Sequence, residues 1–237
     1  MMQQIKKSIL LLLGLLLLCQ AEAVHTSADD SYALYFPIMR SRGYGANVLS
    51  NPSFEGGWYH PNGISELQIP TNWTFSWEEG ENPFDPEPWN EFVRPEVRVL
   101  PSAFLPIDEH DLFIWDGDQT LKVFKGFGAI SYTLQAKVPV QPGDYAFEIF
   151  VYPDLVVDYV NGEKVFAPDP NSGEVRLDAG SSSTGWILPT FGDKNRIYLN
   201  FSVNQATTIT VKASFRGRWA IRNNGWFMDD WGVYKLE

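Results

Sequence analysis

The side chains of this chain best suited to chemistry are its carboxylates and its tryptophans. The sequence holds 29 Asp and Glu residues and nine Trp, but only three His. A serine hydrolase needs a histidine base, and the sequence contains neither a Gly-x-Ser-x-Gly turn nor a phosphate-binding glycine loop. Two carboxylates can cleave a glycosidic bond, yet among so many acids some pair falls at any chosen spacing. We therefore predict a binding protein rather than an enzyme, with a glycan-active hydrolase or lyase as the lesser alternative.

Several tryptophans lie in polar, loop-like sequence. Trp89 stands between Pro88 and Asn90, and Trp186 follows Gly185. An exposed indole needs a reason, and the apolar C–H face of a sugar ring is a partner that supplies one. The candidate carbohydrate-binding residues are Trp77, Trp89, Trp115, Trp186, Arg218, Trp219, Asn223 and Trp226. The alternative for any of these indoles is core packing, which strand parity predicts for Trp73 and Trp231.

The elements that must position these residues are short strands. Apolar residues alternate with polar ones over 130–138, 145–151, 197–203 and 209–215, as they do in half-buried strands. Beyond the N-terminal apolar run, no window of 12 or more residues shows a helical period. The pattern predicts an all-β fold, most economically a two-sheet sandwich.

Two long connections and one short one interrupt the strands. Residues 78–91 are acidic and proline-rich, and residues 167–186 are rich in Gly, Ser, Pro and Asp. Long loops in a compact domain are usually functional or mobile. Residues 216–226 join three arginines, two asparagines and two tryptophans in an otherwise acidic chain. This segment is either part of the sugar site or a structural crossover.

Charge and targeting pattern limit where the protein works and what it binds. The formal net charge is −11, which disfavours nucleic acid and anionic membranes as partners. Lys6 and Lys7, an apolar run over 9–18 and a small-x-small site at 21–23 are typical of a secretory signal peptide. We predict a signal peptide over 1–23, a tether over 24–46, one domain over 47–237, and a secreted protein with no membrane insertion after cleavage. Lipidation at the single Cys19 is the alternative for the N-terminus.

Four stretches in order resemble one family. They are Asn-Pro-Ser-Phe-Glu at 51–55, Gly-Asp-Gln-Thr-Leu-Lys-Val at 117–123, the hairpin at 135–145, and Trp-Phe-Met-Asp-Asp-Trp-Gly-Val-Tyr at 226–234. Together they resemble galactose-binding-like domains, in particular carbohydrate-binding modules of the family 4, 9 and 22 type. The resemblance implies a two-sheet jelly-roll β-sandwich that binds a polysaccharide or glycan.

The same resemblance implies one structural calcium ion where the chain termini meet. Its ligands would be Glu55, Asp118 and one of Asp229 and Asp230, since Ca²⁺ prefers oxygen ligands. Asp229 shares strand parity with Trp231, which predicts an inward side chain. A buried carboxylate needs either a cation or hydrogen-bond donors. The alternative is that Asp229 and Asp230 form a turn or a salt bridge.

Two functions from different classes follow from the sequence. One is a secreted, non-catalytic carbohydrate-binding module. The other is a cell-surface structural or adhesion module that binds protein. They differ in whether the loop tryptophans meet on one surface or scatter into the core.

Overall fold

The computed structural model describes residues 43–237, which form two packed β-sheets and a short ribbon. Sheet I comprises β1 Tyr44–Asn47, β5 Glu96–Pro101, β6 Gln119–Lys125, β8 Gly143–Val160, β9 Glu163–Phe166, β12 Asn195–Val203 and β14 Asn223–Leu236. Sheet II comprises β4 Trp73–Trp77, β7 Ile130–Val140, β10 Gly173–Ala179, β11 Ser182–Ser183 and β13 Thr207–Gly217. The ribbon comprises β2 Trp58–Tyr59 and β3 Ile69–Pro70.

Helical structure in this part of the chain is limited to single turns. The α-helix α1 is His110–Phe113, and the 3-10 turns are Pro61–Gly63, Pro88–Asn90, Ser102–Phe104, Ile107–Glu109 and Pro170–Ser172. Within residues 43–237, no helix has the length and apolar character needed to cross a bilayer.

The strand order gives the predicted jelly-roll β-sandwich. Sheet I runs β12-β8-β14-β6-β5, with β1 beside β14 and β9 beside β8, and sheet II runs β11-β10-β13-β7-β4. Each pairing is antiparallel. Local alternation explains the two layers: in β7 the side chains of Ile130, Leu134 and Val138 are fully buried, whereas Lys137 is exposed. The strand predictions over 130–138 and 145–151 are confirmed.

The centre of the core is aromatic. Trp73 and Trp231 meet edge to face at 5.3 Å between ring centroids, and Phe54 lies 5.5 Å from Trp231. Both indole N–H groups are satisfied, Trp73 by donating to the carbonyl of Asn51 and Trp231 by donating to that of Phe150, each at 3.0 Å. The prediction that these two tryptophans are core residues is confirmed.

A β-bulge in the last strand changes which side chains face inward. Four residues of β14, Asp229 to Gly232, lie opposite three residues of β8, Glu148 to Phe150, and Asp230 has a φ of 54°. A bulge inserts one residue and so exchanges the faces on either side of it. Trp226 and Trp231 therefore both face the core, although they are an odd number of residues apart. Asp229 lies on the outer side of sheet I, so the parity prediction of an inward Asp229 is wrong.

Two boundaries differ from the sequence predictions. Residues 167–186 are not one loop, because β10 and β11 lie within them and add sheet II positions. The compact unit begins at Tyr44, so β1 takes up the last residues of the predicted tether. The predicted signal peptide, Cys19 and the rest of the tether lie outside the described residues.

The outer face of sheet I is covered by residues 102–116, called here the cover segment. Phe113 of α1 stacks on Phe227 of β14 at 3.7 Å between ring centroids. Tyr152 of β8 contacts the Phe113 ring edge to face at 5.1 Å. All three side chains are buried. The cover segment thus closes this face with a small second core.

Candidate functional site

The outer face of sheet II is open and polar. Its strands place outward-facing side chains in cross-strand rows, within reach of one another. The hydroxyls of Thr133 and Ser214 in one row are 2.8 Å apart. The two central rows are Ser76, Thr133, Ser214 and Arg176, then Thr74, Gln135, Lys212 and Asp178. Hydroxyls, an amide and charges along neighbouring strands are groups that can exchange hydrogen bonds with a polyhydroxylated ligand.

A shallow cleft lies at one end of this face. Its volume is about 290 Å³. It is lined by Ser50, Asn72, Thr74, Gln135, Ala136, Lys137 and Thr210. The cleft continues the polar rows, because three of its lining residues are outward positions of β4 and β7.

At the opposite end, three connections that are distant in sequence converge. Asn82, in the 78–91 loop, donates to the carbonyl of Arg218 at 2.8 Å. The main-chain N–H of Arg218 donates to the carbonyl of Ser172 at 2.9 Å, next to the start of β10. The connections singled out in the sequence are therefore joined at one rim of sheet II.

Buried asparagines hold this rim together. Asn90 is 3% exposed, and its Oδ1 accepts the main-chain N–H of Ala220. Asn224 is fully buried, and its Nδ2 donates to the carbonyls of Gly128, Gly217 and Trp219 at 3.1–3.3 Å. A Cβ on Gly217 would collide with the Asn224 amide, so this close approach requires glycine. Side-chain amides suit the task, since each offers both donors and an acceptor to loop backbone.

The rim carries a cluster of arginines and aromatic rings, called here the arginine–tryptophan cluster: Phe84, Glu174, Arg176, Trp186, Arg216 and Arg218. The guanidinium carbon of Arg216 lies 3.8 Å from the centroid of the Trp186 ring, and that of Arg176 lies 5.0 Å from it. Arg218 covers the Phe84 ring at 4.2 Å. These are cation–π contacts, and they fix the Trp186 indole beside the polar face.

Glu174 is the anchoring carboxylate of the cluster. It is 5% exposed, and Arg218 binds both of its oxygens, with Nε at 2.9 Å. Arg216 is farther away, with Nη1 at 3.8 Å. A buried carboxylate held by an arginine fork is stabilised in place, and its oxygens are not free to act as a catalytic acid or base.

Four of the predicted carbohydrate residues lie at this rim. Trp186 and Arg218 belong to the cluster, and Trp219 follows Arg218 in the converging segment. Trp89 stands in the 3-10 turn Pro88–Asn90 beside the asparagine that binds Ala220, and its side chain is 72% exposed. A fifth predicted residue, Trp77, lies at the end of β4 and packs against the core. Its indole N–H donates to Glu79 at 2.8 Å.

Two more predicted residues lie on the opposite side of the sandwich. Trp115 belongs to the cover segment, and the Lys194 ammonium lies 4.5 Å from the centroid of its ring. Asn223 donates to the carbonyl and the carboxylate of Asp154, at 2.8 and 2.9 Å. Sheet II and its rim do not include them, so these two residues are not part of the candidate site.

The prediction that Trp226 contacts a ligand is wrong. Its side chain is fully buried, lies 5.4 Å from the Phe215 ring and donates its indole N–H to Asn224 at 3.3 Å. The cause is the bulge at Asp230, which turns Trp226 toward the core.

Three of the four predicted calcium ligands, the carboxylates of Glu55, Asp118 and Asp229, accept hydrogen bonds from the protein. Glu55 accepts the main-chain N–H groups of Asp118 and Gln119, each at 2.7 Å, and Asp118 accepts the hydroxyl of Ser102. Residues 43–237 contain no group of three or more acidic or histidine side chains arranged to hold one metal ion. A calcium ion here would need main-chain carbonyls or water as further ligands.

Asp229 is the most perturbed of these carboxylates. Its oxygens accept main-chain N–H groups of Trp115, Asp116 and Asp230 at 2.6, 2.9 and 2.7 Å. Burial raises the pKa of Asp229 to about 7, and these three hydrogen bonds oppose the rise. Burial also raises the pKa of Asp230. Main-chain N–H donors therefore stabilise the buried carboxylate of Asp229 in this structure.

The sequence reasoning missed Phe84, Glu174 and Arg176, and it included Arg216 only as part of the 216–226 segment. A signal was present for two of them: in Gly-Glu-Val-Arg-Leu-Asp-Ala, Val175 and Leu177 alternate with charged residues, as in a half-buried strand. The Gly, Ser and Pro content on either side hid that strand. Nothing local marks Phe84, because its role depends on contact with arginines more than 130 residues away.

The two described histidines are engaged with the main chain. His60 Nδ1 lies 2.8 Å from the carbonyl of Leu67, and His110 Nε2 lies 2.9 Å from that of Ser102. Neither belongs to the arginine–tryptophan cluster, so the rim has no histidine base among its own residues.

Comparison with solved structures finds remote likenesses. A family 61 carbohydrate-binding module solved with β-1,4-galactotriose is 14% identical, with a TM-score of 0.42 over 81% of this chain and 99% of that one. The CBM22-1 xylan-binding domain of Paenibacillus barcinonensis Xyn10C is 14% identical, with a TM-score of 0.40 over 81% and 95%. The enzymatically active domain of bacteriophage CBA120 tailspike protein 4 is 12% identical, with a TM-score of 0.46 over 81% of this chain and 21% of that one. No family model matches the chain, and no curated protein matches it.

Proposed function

We propose that this chain is a secreted, non-catalytic carbohydrate-binding module that holds a polysaccharide or glycan on the outer face of sheet II. The observation that carries the proposal is the convergence of three connections on one rim, which sets the Trp186 indole beside an open, polar sheet face. Trp89 adds an exposed indole at the same rim.

The division of roles follows from the contacts. The guanidinium groups of Arg216 and Arg176 both lie over the Trp186 ring, so a sugar ring would stack on the part of the indole that they leave open. The hydroxyl and amide rows of Thr133, Ser214 and Gln135 then offer hydrogen bonds to sugar hydroxyls. Glu174 is held by Arg218, which supports a role in positioning rather than in bond cleavage.

Affinity electrophoresis through gels that contain soluble polysaccharides tests this proposal. The parent is retarded by at least one polysaccharide, and Trp186→Ala weakens that binding about tenfold, equivalent to ~1.4 kcal/mol. Phe104→Ala is the matched control, because Phe104 is 78% exposed but belongs to the cover segment over sheet I. Retardation by no polysaccharide in the panel, or equal retardation of Trp186→Ala and the parent, would falsify the proposal.

A second candidate function has an observation of its own. Phe104, Ile107 and Leu112 of the cover segment are 78%, 86% and 45% exposed. Exposed apolar groups within one short segment are typical of a protein-binding surface, as a structural or adhesion module would have. If Phe104→Ala reduces binding to a protein partner while no polysaccharide binds, this candidate replaces the first.

A further inference from the structure

The outer face of sheet II differs in charge from the rest of the protein. The chain has a formal net charge of −11. The outward positions of β7, β10 and β13, with Arg218 just beyond β13, instead carry more cations than anions. On the strands the cations are Lys137, Arg176, Lys212 and Arg216, and the anions are Glu174 and Asp178. The rim adds Arg218 and the acidic 78–91 loop. Such a local reversal of sign is a footprint of an anionic partner.

The carboxylates of this face do not form ion pairs with all of these cations. Glu174 is taken by Arg218, and Asp178 accepts from Arg176 Nε at 3.0 Å. Lys212 faces Asp178 across the strands, yet among the described residues neither Lys212 nor Lys137 makes an ion pair. Both lysines are exposed.

Arg216 is the partly buried cation next to Trp186, and its ion pair within the described residues is the long contact of Nη1 with Glu174 at 3.8 Å. Its guanidinium carbon lies 3.8 Å from the centroid of the Trp186 ring, and its Nε is buried with no hydrogen-bond partner among residues 43–237. Burial lowers the pKa of Arg216, the charges of Glu174 and Glu78 oppose this, and those of Arg176 and Arg218 add to it. The terminal nitrogens of a guanidinium group can donate two parallel hydrogen bonds to an oxyanion.

We infer that the ligand of this face is an anionic polysaccharide, whose carboxylate or sulfate groups bind Arg216 at the rim and Lys212 and Lys137 farther along. The inference rests on the proposed function and specifies its ligand. Arg216 and Lys212 lie four residues apart on β13, about 13 Å at the rise of an antiparallel strand. The cations therefore follow a line along the sheet, as charges do on successive sugars of a polymer.

The test compares acidic with neutral polysaccharides in affinity gels at pH 7. The panel is polygalacturonate as the carboxylate probe, chondroitin sulfate as the sulfate-bearing probe, and xylan and galactan as neutral probes. The parent is retarded by an acidic probe and not by the neutral ones, and added salt weakens the binding. Retardation by polygalacturonate assigns the site to carboxylate, and retardation by chondroitin sulfate alone assigns it to sulfate. Non-specific ion exchange would not explain either result, because the protein itself is acidic.

Matched lysine variants assign the effect to the face. Lys212→Gln and Lys137→Gln each weaken acidic-polysaccharide binding about threefold, the scale of one exposed ionic contact. Lys235→Gln makes the same charge change at an exposed position near the end of β14, in sheet I, and leaves binding unchanged. Equal weakening by all three variants overturns the inference. Binding of neutral probes as strong as that of acidic ones also overturns it while leaving the proposed function intact, whereas binding of no probe overturns both.

Discussion

The outer faces of the two sheets are opposites. On sheet I, Phe227 and Tyr152 point outward, and the cover segment buries them under Phe113. On sheet II, the outward positions are hydroxyls, an amide and charges, and no comparable segment of residues 43–237 crosses its central rows. Its loops gather at the rim instead, where Asn82 and Arg218 join them.

The difference teaches that outward side chains decide which face stays open. An outward Phe exposes apolar surface that is worth burying, at roughly 25 cal/mol for each Å², so a covering segment stabilises the fold. An outward Thr or Gln gains little from a cover and keeps its hydrogen bonds with water. One face of the sandwich is thus used for stability, and the other is free for binding.

The largest test of this contrast is the removal of the aromatic anchor of the cover segment. Phe113 is 1% exposed, so Phe113→Ala lowers the free energy of unfolding by about 3–5 kcal/mol. Phe104→Ala, in the same segment but 78% exposed, changes it by less than about 0.5 kcal/mol. Urea denaturation measures both. Similar small losses for the two variants would show that the cover segment does not stabilise the fold.

A smaller effect is expected at the rim of sheet II. Asn224→Ala leaves the Trp226 indole N–H and the carbonyls of Gly128 and Gly217 without this partner. We expect a loss of about 3 kcal/mol, since an unsatisfied buried polar group costs about 1–3 kcal/mol. The folded variant also binds polysaccharide more weakly, because the rim is displaced. Asn200→Ala, at an exposed position of β12, is the control, and a fully active Asn224→Ala variant would contradict the positioning role.

The structural calcium is the third test, and it concerns sheet I alone. We keep it as a proposal from the resemblance, with Glu55, Asp118 and one of Asp229 and Asp230 as its ligands. Binding to the native state only would add about 2.7 kcal/mol at a hundredfold excess of calcium over the dissociation constant. Thermal melting with calcium and with a chelator measures the shift, and Glu55→Ala should reduce it. Equal melting midpoints of the parent with calcium and with the chelator would contradict the proposed calcium site.

The strands and the layers could be predicted from the sequence, because both depend on local alternation. In β7 and β8, inward and outward side chains follow directly from the order of apolar and polar residues. The jelly-roll form of the sandwich was predicted from the family resemblance of four short motifs, at 51–55, 117–123, 135–145 and 226–234, and not from alternation. The bulge at Asp230 was not predictable in this way, because one extra residue in β14 is defined only against its partner β8.

The sequence by itself determined that the chain is an all-β sandwich rich in tryptophan, with arginines gathered in 216–226. Only the tertiary structure decided where each tryptophan lies. Trp186 and Trp89 lie at the rim of sheet II, Trp115 lies against sheet I, and Trp226 lies in the core. It also decided that Phe84 and Glu174 join Arg218, although they lie far from it along the chain. The physical reason is that alternation reports only the face of one strand, whereas a site depends on long-range pairing between strands and loops.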